Sequence, residues 1–174
     1  VRLLAGLLCL LVAWLAMGQA RYLGIGFLLS SMLLVWAADV FAYAFGRTLG
    51  GKLLGARSKL APGISPGKSW EGVLGGMVGV LVVAGVWLML EKNGQISGPS
   101  LYGLLWQTRG PAVAVLCLVF LAAMSVVGDL SESLVKRAAG VKDSSQLLPG
   151  HGGVLDRIDA LLPTLPLALM LVLI

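Results

Sequence analysis

Apolar residues in this chain do not alternate with polar ones. They run together in long blocks, at about 3–17, 22–46, 71–90, 111–128 and 154–174. A helix needs ~20 residues to cross a ~30 Å hydrocarbon core, so each block is of spanning or near-spanning length. The pattern predicts five membrane helices, with polar segments at 18–21, 47–70, 91–110 and 129–153. The first block, with Arg2 ahead of it and Ala16-Met17-Gly18-Gln19-Ala20 at its end, has the outline of a signal peptide. Four further apolar blocks instead mark a polytopic chain.

Composition points the same way. Of 174 residues, 58% are hydrophobic and 12% charged, and the mean hydropathy is +0.94. That is too little polar surface for a soluble domain of this length. The expected fold class is all-α, a polytopic integral membrane helix bundle. Because the chain opens on Val1 and enters an apolar run almost at once, it reads as the C-terminal part of something longer or as the product of a non-Met start.

The net charge of +5 is concentrated in two segments. Residues 47–70 carry Arg47, Lys52, Arg57, Lys59 and Lys68 with no acid, and residues 129–153 add Lys136, Arg137 and Lys142. Positive loops stay on the cytoplasmic side, so both are placed there. The 91–110 loop, with Lys92 and Arg109 against Glu91, and the 18–21 turn, with Arg21, face outward. Five spans then leave the C-terminus outside.

Residues 128–159 hold nine of the twenty-one Asp, Glu, Lys and Arg residues and the only His. Acids at a bilayer edge need compensation by a cation, a partner or a substrate, which makes Asp129, Glu132, Asp156 and Asp159 candidates for chemistry. If the fourth helix continues through 128–137, Asp129, Glu132, Ser133 and Lys136 recur at i, i+3, i+4 and i+7 and share a face. Asp156 and Asp159 also share one. With Asp39 in the second helix, three spans bring carboxylates to the same, cytoplasmic, end. Pro149-Gly150-His151-Gly152-Gly153 excludes regular helix and offers backbone N–H groups to phosphate. Carboxylates for a hard cation beside amides and lysines point to phosphoryl or nucleotidyl transfer. The plainer alternative is that Asp156 and Asp159 complement a helix dipole and Lys136 neutralises Glu132 or Asp129 on a solvated face.

Other residues carry two readings. Asp39 either bonds Tyr43 one turn on or faces a cavity, and the second is favoured for a buried acid in a membrane helix. Gly67-Lys68-Ser69 ends like a P-loop, but Pro62 stands where its first glycine belongs and no strand is expected before it. Ser69 is instead an N-cap for the third helix, and Lys68 an interfacial cation. Gly72, Gly75, Gly76 and Gly79 form a small-residue stripe suited to helix contact. Cys9 and Cys117 lie in apolar spans and read as packing residues, and with no second His structural zinc is not expected.

Ser133-Leu134-Val135-Lys136-Arg137, then Lys142-Asp143, then Pro149-Gly150-His151-Gly152-Gly153-Val154-Leu155-Asp156-Arg157-Ile158-Asp159 resembles the signature of phosphatidate cytidylyltransferases, the CDP-diacylglycerol synthases. The segment from Asp39 to Tyr43, Ser65-Pro66-Gly67-Lys68-Ser69 with Glu71, and Gly128-Asp129-Leu130-Ser131-Glu132 fit that pattern too, so the likeness covers about residues 30–160. It implies that CTP and phosphatidate give CDP-diacylglycerol and pyrophosphate at the cytoplasmic face of the inner membrane. It further implies an all-helical homodimer with a magnesium ion and a potassium ion beside it, and no nucleic-acid partner.

Carried over residue by residue, Asp129 and Asp156 are metal ligands with Asp159 close by. Asp129, Asp156, Lys136 and His151 form the catalytic set. Ser65, Lys68, Ser133, Arg137, Lys142, Gly152, Gly153 and Arg157 bind substrate. Members of the family have further N-terminal membrane helices, so the resemblance implies that 1–174 is a single membrane-embedded catalytic domain lacking them. Two rival classes are a CTP-dependent polyprenol or lipid kinase, opposed by the Pro-Gly-His-Gly-Gly to Asp-Arg-Ile-Asp block, and a cation transporter, opposed by acids gathered at one end of the spans.

Overall fold

The computed structural model describes residues 2–147 and 152–173. Helix α1 (Arg2–Leu23) is followed, after one residue, by α2 (Ile25–Leu49). A 3-10 turn (Gly55–Ser58) then leads into an antiparallel hairpin of β1 (Lys59–Ala61) and β2 (Ser65–Ser69), with Lys59 opposite Ser69 and Ala61 opposite Ser65. Helix α3 (Trp70–Lys92) returns through the bundle, and short α4 (Leu101–Arg109) precedes the longest element, α5 (Pro111–Ala138). The chain closes with α6 (Leu155–Ile158) and α7 (Leu161–Leu173).

Among the described residues, four helices, α1, α2, α3 and α5, are long and apolar enough to cross a membrane. The chain is a multi-pass, all-helical membrane protein apart from the hairpin. The expected fifth span differs: it breaks at Asp159–Ala160, and its regular part, Leu161–Leu173, has 13 residues. A window of hydropathy averages across Asp156 and Asp159, whereas the backbone turns there. The expected turn at 18–21 is also absent, because α1 runs on to Leu23 and the bend falls at Gly24, whose φ of 141° lies in a region that L side chains rarely adopt. The 91–110 segment holds α4, capped by the Ser100 hydroxyl at 2.9 Å from the Gly103 N–H.

Lipid, not water, is the solvent for the outer faces, and the side chains sort accordingly. Leu4, Leu8, Leu11 and Trp14 of α1, Val78, Val82 and Val86 of α3, and Leu116 and Phe120 of α5 point outward. Small and hydroxyl residues such as Ala38, Ser30, Ser125 and Thr164 are buried, as expected where close packing rather than hydrophobicity drives association. The glycine stripe of α3 lies against α2 as anticipated. A Cβ on Gly72 would come 2.8 Å from the Ala42 carbonyl oxygen, and one on Gly76 would come 2.8 Å from that of Ala38. Only a bare backbone permits this approach.

At the α4 end, the Leu101 N–H donates to the Ser30 hydroxyl at 2.9 Å and Tyr102 stacks edge-on against Trp87, centroids 5.9 Å apart. The opposite end gathers the C-termini of α2 and α5, the N-termini of α3 and α7, and the hairpin. Cys117 is buried and Cys9 faces outward, and they form no disulfide.

Candidate active site

The close α2–α3 contact sets the first wall of the site. Ser69 ends β2 and caps α3, its hydroxyl accepting from the Gly72 N–H at 3.1 Å. The cap that the sequence predicts therefore forms, and it fixes where the preceding residue reaches. Lys68 extends across to α5 and pairs with Asp129, Nζ to Oδ2 2.5 Å. The other Asp129 oxygen accepts from the Ser133 hydroxyl one turn on, at 3.3 Å. Asp39 of α2 joins them in lining a cavity of about 350 Å³ with Tyr43, Arg47 and Gly72. Asp39 thus faces the cavity rather than Tyr43, whose hydroxyl instead accepts from Arg47 at 2.8 Å.

A second cluster lies further along α5. The predicted i, i+3, i+4, i+7 face exists, since α5 continues unbroken to Ala138. Lys136 donates to Glu132 Oε2 at 2.7 Å and to Asp156 Oδ1 at 2.5 Å. Asp156 Oδ2 accepts three more hydrogen bonds, from the Ser144 N–H at 3.0 Å, the Ser144 hydroxyl at 2.8 Å and the Gly153 N–H at 2.7 Å. Burial raises the Asp156 pKa, but these partners, Lys136 foremost, outweigh it and hold the carboxyl well below the usual carboxylate range.

Asp159 links the two clusters. It is 9% exposed, and burial, with the Asp129 charge and then contact with Glu132, pushes its carboxyl well above the usual carboxylate range, against the pull of the Ala160 N–H. Glu132 is 8% exposed, and its Oε1 finds no hydrogen-bond partner among the described residues.

Most of the predicted site residues meet here. Asp129, Ser133 and Lys68 form one cluster, Lys136 and Asp156 the other, and Asp159 stands between. Gly153 contributes differently from the expectation: its N–H is spent on Asp156 and is not a free phosphate donor. Gly152, with φ 76°, packs so close that a Cβ would lie 3.0 Å from Asp156 Oδ2. Ser65 begins β2 beside this end. Arg137 reaches the carbonyls of Ile64 at 3.4 Å and Val141 at 3.5 Å, tying α5 to the hairpin. Lys142 and Arg157 lie on exposed surface. His151 lies outside the described residues.

Two acids take partners that the sequence leaves open. Glu71, 3% exposed, accepts from the Gly51 N–H at 3.1 Å, the Leu54 N–H at 3.2 Å and the Ser58 hydroxyl at 2.5 Å, organising the 50–58 loop. Its signal in the sequence is an acid in the first turn of an apolar helix. Glu132 lies on the predicted face of α5, where spacing alone allows Lys136 to meet either Glu132 or Asp129, and the structure pairs it with Glu132.

As to a metal, Asp39, Asp129, Glu132, Asp156 and Asp159 present five carboxyl groups against the two ammonium groups of Lys68 and Lys136. That surplus, with an orphaned buried carboxylate oxygen on Glu132, is the hard-oxygen environment a magnesium ion takes. No three His, Cys, Asp or Glu side chains among the described residues converge as ready ligands, and the lysines occupy the carboxylates. A cation at Asp129 would have to share or displace Lys68.

A family model described as "Cytidylyltransferase family" matches residues 2–174. Among curated relatives, the phosphatidate cytidylyltransferase of Haemophilus influenzae is 46% identical over 145 residues, covering 83% of this chain and 45% of the relative. That of Pseudomonas aeruginosa is 45% identical over 167 residues, 95% of this chain and 55% of the relative. That of Synechocystis is 43% identical over 135 residues, 76% and 38%. The chain thus spans about half the length of the first two and less of the third. A match that runs the length of the chain, through both the Lys68–Asp129 and the Lys136–Asp156 pairs, settles the affiliation: the protein belongs to the cytidylyltransferase family.

Proposed function

We propose that this chain carries the catalytic centre of a phosphatidate cytidylyltransferase, which joins CTP and phosphatidate into CDP-diacylglycerol and releases pyrophosphate. The observation that carries this reading is the convergence of Lys68–Asp129 and Lys136–Asp156 at one end of the bundle, on the same face of α5. Attack by a phosphatidate oxygen on the α-phosphorus needs little acid or base help. It needs anions held close in line and their charge neutralised.

The residues divide that work. Lys68 and Lys136, each already held by carboxylates, are positioned cations that can turn to phosphate oxygens when the anionic substrates enter. Asp129 and Asp156, with Asp159 close by, would supply carboxylate oxygens to a magnesium ion once their lysines turn to phosphate, and that ion when bound supplies charge neutralisation for the triphosphate. Ser133 orients Asp129, and Arg137 braces the hairpin that carries Lys68. The site end is cytoplasmic, supported by the basic 47–70 and 136–142 segments. There the lipid phosphate lies at headgroup depth and the nucleotide arrives from water. The family resemblance supports a homodimer in the inner membrane.

The test is formation of CDP-diacylglycerol from labelled CTP and phosphatidate by the purified protein, with magnesium and with EDTA, beside Asp129→Asn. Magnesium-dependent product that disappears in the variant is expected. Product undiminished by Asp129→Asn would remove Asp129 from the centre.

A further inference from the structure

Beside the acid-lined cavity lies a second one of about 240 Å³, which shares Gly46, Gly67 and Ser69 with it. Its other walls include Gly51, Ser58 and Lys59, and no Asp or Glu is among its described lining residues. Glu71 holds this wall without lining the space. Both its oxygens are engaged, one by the Gly51 and Leu54 N–H groups and one by the Ser58 hydroxyl. The two cavities therefore differ in carboxylate content: one carries Asp39 and Asp129 with Lys68 and Arg47 beside them, the other glycine backbone and a lysine with no acid among its described lining residues.

That difference bears on where a triphosphate can lie. A polyanion beside Asp39 and Asp129 meets two carboxylates along with the Lys68 and Arg47 cations, whereas one end of it can move next door, to a space where Lys59 is a cation with no acid opposite it, its ammonium donating to the Pro66 carbonyl at 2.7 Å and able to turn to a phosphate oxygen. We propose that the glycine-lined cavity receives the β- and γ-phosphates of the nucleotide and then holds the departing pyrophosphate. This rests on the cytidylyltransferase reading above. In that reaction a bond forms from the phosphatidate oxygen to the α-phosphorus and the bond from the α-phosphorus to the bridging oxygen breaks. The electron pair stays on the pyrophosphate oxygen, so negative charge grows on the group placed in the carboxylate-free space.

Size and wall chemistry favour the tail over the base. The volume equals roughly eight waters at ~30 Å³ each, enough for a diphosphate and too little for the whole nucleotide. Among the described residues, no aromatic or amide side chain lines it for stacking or for pairing with a cytosine edge. The Ser58 hydroxyl is already committed, donating to Glu71 and accepting from the Gly51 N–H at 2.9 Å.

Gly67 offers a way in. A Cβ there meets nothing within 4 Å and its φ is not positive, so Gly67→Leu adds bulk at the shared wall without backbone strain. Lys59→Ala removes the charge instead, and Lys59→Arg keeps it.

The experiment is calorimetric titration of the purified protein in detergent, with magnesium, against CTP, CMP and pyrophosphate. Gly67→Leu should weaken CTP and pyrophosphate at least about tenfold and CMP less than about twofold. Lys59→Ala should act in the same direction by about fivefold, with Lys59→Arg near the parent, as expected for one charge-assisted hydrogen bond. CMP weakened as much as CTP, or all three ligands unchanged in both variants, would overturn the assignment. Pyrophosphate bound by a parent protein that binds neither nucleotide would support the diphosphate cavity and discard the cytidylyltransferase reading, whereas a parent that binds none of the three discards both.

Discussion

Replacing Lys136 by Met should cost more than a surface ion pair and less than a fully buried one. Lys136 is 15% exposed, Glu132 7% and Asp156 11% by side chain, and its ammonium is the shared partner of both acids. Exposed pairs contribute ~0–1 kcal/mol, and breaking a buried pair from one side costs ~3–5 kcal/mol because a charge is left without a partner. Asp156 keeps three other donors, from Ser144 and Gly153, after the change, whereas Glu132 loses the sole partner of Oε2 while Oε1 already has none. The expected loss is therefore about 2–3 kcal/mol, carried mainly by Glu132. For a chain of this length that corresponds to a fall of roughly 5–10 °C in apparent Tm.

The assay is thermal unfolding in detergent of Lys136→Met, Asp156→Asn and the double variant, with the coupling read from the cycle. Coupling of about 1–2 kcal/mol is expected, on the scale found between contacting residues. The pH dependence has a definite sign. A carboxyl held below its ordinary value contributes stability that is complete above the unfolded value near ~3.9 and is lost as the pH falls through the folded value. The penalty of Asp156→Asn should thus be the same at pH 8 and pH 5. A Lys136→Met protein melting within about 1 °C of the parent, or a penalty for Asp156→Asn that halves by pH 5, would refute the reasoning.

Three further outcomes follow from local geometry. Gly76→Ala places a Cβ 2.8 Å from the Ala38 carbonyl oxygen and should destabilise by about 1–3 kcal/mol, whereas Gly85→Ala, which meets nothing within 4 Å, should stabilise by about 0.5–1 kcal/mol, both read as shifts in apparent Tm. Ser69→Ala removes the cap on the Gly72 N–H and should cost about 1 kcal/mol, with Ser69→Asp restoring most of it in the same melt. Glu71→Ala frees the Gly51 and Leu54 N–H groups and the Ser58 hydroxyl, so limited proteolysis should cut the 50–58 loop at least about fivefold faster than in the parent, with equal rates counting against a role for Glu71 in holding it.

Long elements were legible because a membrane helix writes itself in composition. The α2, α3 and α5 spans, the Ser69 cap and the glycine stripe follow from run length, a hydroxyl ahead of an apolar run, and small residues four apart. The hairpin was not legible, since β1 has three residues and β2 reads Ser-Pro-Gly-Lys-Ser, without alternation or β-branched side chains. Nor was α4, nine residues of mixed polarity, or the break at Asp159–Ala160.

The same limit applies to the site. Periodicity along α5 placed Asp129, Glu132, Ser133 and Lys136 on one face, because those residues belong to one helix. Which lysine meets which acid depends on contacts across elements: Lys68 reaches Asp129 only because Gly72 and Gly76 let α3 sink against α2 and carry the end of β2 toward α5. Helix packing with no reactive group in it therefore sets the electrostatics of the centre. A methyl group at Gly76, which touches no acid or lysine, should for this reason separate Lys68 from Asp129 as well as loosen the bundle.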